Sequence, residues 1–234
     1  MDTPHPAPTS ERLNKYLAFH LGVSRRQADT LIKEGAVTIN GKIATLGDRA
    51  QPGDSVTANG TPVATKEAYT YVLLHKPRGY VCSRRQQGEL PTIYSLLPKS
   101  YHHLKPVGRL DADSSGLLLL TDDGDFTFAM THPKFYKQKQ YLVLLSDNLQ
   151  PLHRQMINDF GVTLEDGPSK LTLERQNEGD DRGWVVTMSE GRNRQIRRTF
   201  QSLGYTVKKL HRTHFGRYTL DNLKRGEWIL TKKI

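Results

Sequence analysis

Val107–Phe126 reads VGRLDADSSGLLLLTDDGDF. Leu117, Leu118, Leu119 and Leu120 are consecutive, so a strand here carries apolar side chains on both faces and belongs inside a covered sheet. The residues before it are small or acidic and suit a tight turn. A carboxylate on a turn held by such a strand has its geometry set by the scaffold, as chemistry requires. Two other uses of these residues compete with this one. Asp111, Asp113, Ser115, Gly116 and Asp122 fall on ligand and glycine positions of an EF-hand loop. The flanks argue against calcium: Lys105-Pro106-Val107-Gly108 is no entering helix, and the closing ligand is Asp where Glu is usual. Asp111 and Asp113 as a general acid and base would resemble glycoside hydrolysis, but on an extended segment this spacing points them to opposite sides.

Upstream, YTYVLLHKPRGYVCS from Tyr69 predicts a strand through Val72, Leu73 and Leu74 and a turn at Lys76-Pro77-Arg78-Gly79. Downstream, strand-like runs recur at Gly116–Thr121, Tyr141–Leu145, Leu171–Leu173, Trp184–Met188 and Trp228–Leu230. Helical candidates lie at Phe126–Met130, Leu149–Phe160 and Asn193–Leu203. This mixture lacks regular βαβ alternation, so an α+β fold is expected over a doubly wound sheet.

A smaller module precedes it. Leu13, Leu17 and Leu21 recur at helical spacing. Ser24 and Gln27 have the spacing of a capping box, with Ala28, Leu31 and Ile32 as the buried stripe and Gly35 as the C-terminal stop. Val37 and Ile39, then Asn40-Gly41 and Ile43, predict a hairpin with a type I′ turn. Arg25 and Arg26 open the capped helix, where backbone N–H groups already favour phosphate. The run SRRQADTLIKEGAVTINGKIATLGDRAQPGDSV resembles an S4 RNA-binding domain. The expected division is a disordered Pro-rich lead-in over 1–10, the S4-like α/β-hairpin module over 11–60, a linker over 61–68, and a larger domain over 69–234.

Charge points the same way. The chain of 234 residues carries +10 overall, and Gly191–Ile234 alone holds twelve Lys/Arg against Asp221 and Glu227. Positive charge gathered in one stretch suits a polyanion. No apolar run approaches a membrane span, and the polar N-terminus does not read as a signal peptide. With one cysteine, Cys82, no internal disulfide forms and a cytoplasmic location is expected. His102, His103, His211 and His214 lack metal-ligand spacing.

GRLDADSSGLLLLT resembles motif II of the RsuA/RluB/RluE/RluF-type ribosomal RNA pseudouridine synthases. Lys76-Pro77-Arg78-Gly79 resembles that family's K-P-x-G turn, Lys139-Gln140-Tyr141 its K-x-Y strand, and Ser189–Arg198 its motif III. Leu203-Gly204 and Val207–Arg212 continue the likeness, which spans about residues 69 to 234.

The resemblance implies a pseudouridine-synthase fold with a largely antiparallel central sheet, acting on ribosomal RNA or a pre-ribosomal particle as a monomer, without metal or cofactor. Asp111 would be the catalytic carboxylate, as nucleophile or as electrostatic partner of a cationic sugar. Burial beside an extruded base opposes its ionisation, so a nearby cation is expected. Arg197 is the candidate, leaving Arg192, Arg194 and Arg198 as phosphate contacts. Tyr141 would stack on the uracil and assist proton transfer, and Leu210 would pack against the base. Arg109 would fill the space the base vacates on flipping. Lys76, Arg25 and Arg26 complete the expected substrate contacts. Two other classes compete: a non-catalytic S4-type assembly factor, and a nucleoside hydrolase that would release free uracil.

Overall fold

The structure, a computed structural model, describes residues 10–66, 68–86 and 88–234; apart from Ser10, the expected lead-in lies outside them. The chain divides into two compact units, one ending at Tyr69 and the other running from Thr70 to Ile234.

The first unit contains β1 (Glu11–Arg12), α1 (Leu13–His20), α2 (Arg25–Lys33), β2 (Val37–Ile39), β3 (Lys42–Ile43), β4 (Arg49–Ala50), β5 (Val56–Ala58) and β6 (Thr61–Pro62). The capping box is complete: the Gln27 N–H donates to Ser24 Oγ at 3.1 Å, and the Ser24 N–H donates to Gln27 Oε1 at 2.8 Å. Gly35, at φ +70°, ends α2 with paired bonds from Gly35 N to Ile32 O and from Ala36 N to Leu31 O, the Schellman arrangement. Asn40 and Gly41 both take positive φ, as a type I′ turn demands. Leu13, Leu17, Ala28, Ile32 and Val37 form the core. Leu21 falls outside α1 and is exposed, so the helical stripe is one member shorter than its spacing predicts.

The expected linker requires correction. Thr61–Pro62 pairs with β5, and Val63, 8% exposed, belongs to this unit's core. Asn59 and Gly60 both have positive φ and reverse the chain as Asn40-Gly41 does. The small residues that follow are an edge strand.

The second unit contains β7 (Tyr71–Lys76), β8 (Lys105–Pro106), β9 (Ser115–Thr121), α3 (Gly124–Thr131), β10 (Lys139–Leu145), α4 (Pro151–Gln155), β11 (Val162–Leu164), β12 (Gly167–Ser169), β13 (Thr172–Arg175), β14 (Gly183–Met188), α5 (Gln195–Gln201), β15 (Val207–Phe215), β16 (Tyr218–Thr219) and β17 (Trp228–Thr231). Among the described residues a nine-stranded sheet runs β13-β14-β10-β15-β9-β7-β17, with β16 on β15 and β8 on β9. Its pairings are antiparallel except β15 with β9. All of β9 is buried. Leu118 and Leu120 join Leu74, Val143 and Trp184 on one face, while Leu117 and Leu119 join Phe126, Met130 and Phe215 on the other. Both faces are covered, as four consecutive leucines require.

The central strand β15 was not anticipated. Its buried residues Val207, Leu210, Arg212 and Phe215 do not alternate. Against β10 its register shifts twice, leaving Lys208 and Thr213 without partners. Two bulges therefore break the two-residue period on which strand reading rests. The helix expected from Leu149 begins at Pro151, widens to a π-helical turn over Met156–Phe160, and stops at Gly161 with φ +82°.

Candidate active site

The turn before β9 is clamped from several directions. The Ser114 N–H donates to Asp111 O at 3.0 Å, and the Gly79 N–H donates to Ala112 O at 2.7 Å. Beneath them lies the Lys76 ammonium, 0% exposed. It donates to Pro77 O at 3.0 Å, Asp111 O at 3.0 Å and Ser114 O at 2.8 Å, satisfying its three N–H groups. Burial lowers its pKa, against the attraction of Cys82, Asp111 and Asp113. Lys76 is therefore not a substrate contact: it is enclosed, and it fixes the backbone that presents Asp111.

The chain turns at 111–114 and does not extend, so the opposite-sides expectation fails. Both carboxylates meet Arg194. Its Nη1 lies 3.4 Å from Asp111 Oδ2 and 3.4 Å from Asp113 Oδ1, and its Nη2 lies 3.3 Å from Asp113 Oδ2. Arg194 has left-handed backbone, φ +46°, at the N-cap of α5.

Arg197 takes another part than expected. It donates to Asp113 O and Ser114 Oγ, each at 3.2 Å, and to Val207 O at 2.9 Å, with Asp113 Oδ2 at 3.2 Å. It braces the turn through Asp113, while Arg194 pairs with Asp111. Burial raises the Asp113 pKa, but the Arg194 hydrogen bond and the charges of Arg197 and Arg194 outweigh it and hold that carboxyl below the usual range.

Asp111 opens onto a cavity of about 320 Å³. Arg109, Tyr141, Leu210, Arg192 and Arg194 share its walls with Asp111, as do Ile196 and Met188. Tyr141 and Leu210 are 8% and 7% exposed, and Arg109 is exposed. Five of the expected site residues thus meet Asp111 in one space, while Arg197 stands behind the turn.

Arg192 and Arg198, expected as phosphate contacts, have acidic partners within the fold. Arg192 donates to Asp166 Oδ1 at 2.8 Å, Gly167 O at 3.0 Å and Pro168 O at 2.8 Å. Arg198 donates to Asp166 Oδ2 at 2.6 Å. Both guanidinium groups tie the α5 region to the β11–β12 hairpin, because a carboxylate already lies within reach. Arg25 and Arg26 are exposed at the start of α2 in the first unit; Arg25 Nη2 donates to Asn14 Oδ1 at 3.1 Å.

Sequence reasoning missed Lys139, Glu190 and Arg212 as cavity residues. Lys139 was visible only as the first letter of a strand motif. Arg212 lies in a basic strand, where composition cannot tell a buried cation from a solvated one. Among the described residues no group of three or more His, Cys, Asp or Glu side chains is arranged to hold a metal ion.

An arginine-paired aspartate on a clamped turn, facing a cavity of about 320 Å³ walled by aromatic and apolar side chains, defines a candidate enzyme site. Residues 70–202 match the family model described as RNA pseudouridylate synthase, and residues 11–56 match the S4 domain. The chain belongs to the RNA pseudouridylate synthase family and is an isomerase of that class. It is 39% identical over 223 residues to the ribosomal small subunit pseudouridine synthase A of Pasteurella multocida, covering 93% of this chain and 94% of that one. It is 37% identical to the ribosomal large subunit pseudouridine synthase B of Bacillus subtilis, covering 93% and 90%. A solved pseudouridylate synthase superposes with a TM-score of 0.67 at 35% identity, covering 94% and 96%.

Proposed function

We propose that this enzyme isomerises one uridine of ribosomal RNA, in the cytoplasm, with Asp111 as the catalytic carboxylate. The N1–C1′ bond breaks, the base turns, and a C5–C1′ bond forms. The C5 hydrogen leaves as a proton and N1 takes one up, so the RNA keeps its composition. Asp111 faces the anomeric carbon, Tyr141 and Leu210 hold the uracil, and Arg194 compensates the carboxylate. Arg109 replaces the extruded base in the RNA, whose flipping costs a few kcal/mol. The S4 unit, with Arg25 and Arg26 at a helix N-terminus, holds neighbouring RNA. Of the two relatives above, one is named for the small and the other for the large ribosomal subunit, so the substrate is proposed as ribosomal RNA as a class.

The supporting observation is the carboxylate of Asp111 on a clamped turn, in one cavity with Tyr141, Leu210 and Arg194. A pure binding protein has no use for a carboxylate aimed into a space lined by stacking and apolar groups. The test is ribosomal RNA from cells lacking the protein, complemented with wild type or Asp111→Ala and mapped for pseudouridine. One position should return with wild type only. Modification by Asp111→Ala would overturn the site; free uracil among the products would indicate a hydrolase.

A further inference from the structure

Phe128, Phe135 and Tyr136 are 48%, 40% and 76% exposed, although rings of this size are ordinarily used to fill cores and interfaces. All three lie on one stretch of the second unit. In α3, Phe126 and Met130, one turn apart, are buried against the sheet, so Phe128 projects to the other side of the helix. The chain then makes a short 3₁₀ turn over Pro133–Phe135 and reaches Tyr136 in left-handed backbone, φ +47°, which a residue with a Cβ adopts rarely. Hydrogen bonds set this turn: the Phe135 N–H donates to His132 O at 3.1 Å, and the Tyr136 N–H to Pro133 O at 3.0 Å.

The rings form a cluster with a cation in it. The Phe128 and Phe135 ring centres are 5.7 Å apart and nearly perpendicular, at 88°, and the His132 ring lies 4.7 Å from that of Phe128. Lys134 Nζ stands 5.0 Å from the centre of Phe128 and 4.8 Å from that of Phe135, within cation–π reach of both. Residues 131–140 hold Lys134, Lys137 and Lys139 and no acid. The cluster borders the catalytic cavity without belonging to it: Thr131 and Pro133 line that cavity, and none of the three exposed rings does. Thr131 also lies beside Gly108, the neighbour of Arg109, since a Cβ built on Gly108 would meet Thr131 Cγ2 at 3.6 Å.

We infer that Phe128, Phe135 and Tyr136, with Lys134, are a platform on which an unpaired base of the RNA stacks while a neighbouring uridine occupies the cavity, an inference that rests on the uridine reading of that cavity. Exposed rings with interleaved cations and no acid suit a single strand, whose bases offer π faces and whose backbone offers negative charge. An apolar protein partner would cover the rings but desolvate the lysine over them, which is costly without a counter-charge. A duplex hides the faces of its bases. The platform therefore selects a target flanked by an unpaired nucleotide, a requirement that a cavity for one nucleotide cannot impose.

The test is filter binding of the full chain to a radiolabelled oligouridylate of about ten residues, within the range of a single-strand site, and to an RNA duplex of about ten base pairs. Tyr136→Ala and Phe135→Leu should each weaken binding of the single strand about tenfold, the size expected for one lost stacking contact. Duplex affinity should stay within about twofold, and the salt dependence should not change, because no charge is removed. Tyr136→Phe, which keeps the ring, should bind the strand like wild type. If circular dichroism shows Phe135→Leu unfolded, Tyr136→Ala decides. An equal loss for strand and duplex, or a loss in Tyr136→Phe as large as in Tyr136→Ala, overturns the inference. Unchanged strand affinity in Tyr136→Ala also overturns it and assigns the rings to a protein partner. Modification of ribosomal RNA by wild type is scored in parallel. Modification without ring-dependent strand binding rejects the platform alone, whereas ring-dependent strand binding without modification rejects the uridine reading of the cavity.

Discussion

Gly116→Ala gives the sharpest test of how the catalytic turn is held. Gly116 opens the buried strand β9 at φ +115° and stands beside Arg212 of β15 in the parallel register. A Cβ built there lies 2.5 Å from Arg212 N, 2.8 Å from Arg212 C, and closer still to the carbonyl oxygen. These atoms are backbone, held between two other strands, so the neighbour has little freedom to give. Positive φ at a residue with a Cβ costs about 1–3 kcal/mol, and forcing an extra methyl into a packed core costs a further ~1–3 kcal/mol. Together they predict a loss of roughly 4 kcal/mol from the second unit. Both tryptophans, Trp184 and Trp228, belong to that unit, so their fluorescence during urea unfolding isolates it. With a slope of about 2 kcal/mol per molar urea, the midpoint should fall by about 2 M. The same variant should lose activity before it unfolds, because Asp111 hangs from the start of β9. A midpoint within about 0.3 M of wild type would mean that β9 and β15 are not in backbone contact at Gly116, and the account of the rigid turn would fail.

Lys76→Met should lower turnover by about 100-fold, the cost of a small misplacement of a reacting group, while RNA affinity changes little; a matching loss of affinity would restore Lys76 as a substrate contact. Asp123 caps α3 and accepts from Phe126 N at 2.8 Å, Tyr71 Oη at 2.7 Å and Lys233 Nζ at 3.3 Å. Burial raises its pKa, but these bonds prevail and hold it below the usual carboxylate range. Its stabilisation is therefore complete above about pH 4 and is lost as pH falls through the folded value. Asp123→Asn, which still caps, should flatten the acid limb of stability against pH; an unchanged limb refutes the assignment. Val63→Asp should destabilise the first unit by about 2 kcal/mol or more, measured by hydrogen exchange of α1 and α2; a neutral effect would return Val63 to the linker.

The legible parts of the chain are those where a local rule and the tertiary outcome coincide. Ser24 and Gln27 cap α2 because the partners lie within one turn, and Asn40-Gly41 turns because two positive φ values are needed there and nowhere near. The four leucines of β9 announce a doubly covered strand by hydrophobicity alone. Asn59-Gly60 carries the same signal as Asn40-Gly41, but the strand after it is two residues long and polar, so only its pairing reveals it. β15 hides for the opposite reason: it is long, but its bulges scramble the alternation. Within the site, Asp111, Tyr141 and Leu210 came from the family likeness, and the structure places them in one cavity. Arg197 was expected as the cation beside Asp111; in the fold it braces the same turn through Asp113, and Arg194 also reaches Asp111, from a left-handed conformation that residue type does not foretell.

The same detail changes what the basic C-terminal stretch means. Counted by sequence, Arg192, Arg194, Arg197 and Arg198 look like a patch for phosphates. In the fold each is answered by an acid of this unit: Arg194 by Asp111 and Asp113, Arg197 by Asp113, and Arg192 and Arg198 by Asp166. Several of these pairs are partly exposed and individually weak, so their value lies in orientation. They pin the start of α5 against the catalytic turn on one side and the β11–β12 hairpin on the other. Lys208, Lys209, Arg217, Lys224 and Arg225 are exposed and better placed to meet an RNA backbone. The positive excess is thus divided in two: arginines with acidic partners build the cavity, and the exposed cations face solvent. Arg212 fits neither group, since it is buried like the first without an acid to answer it.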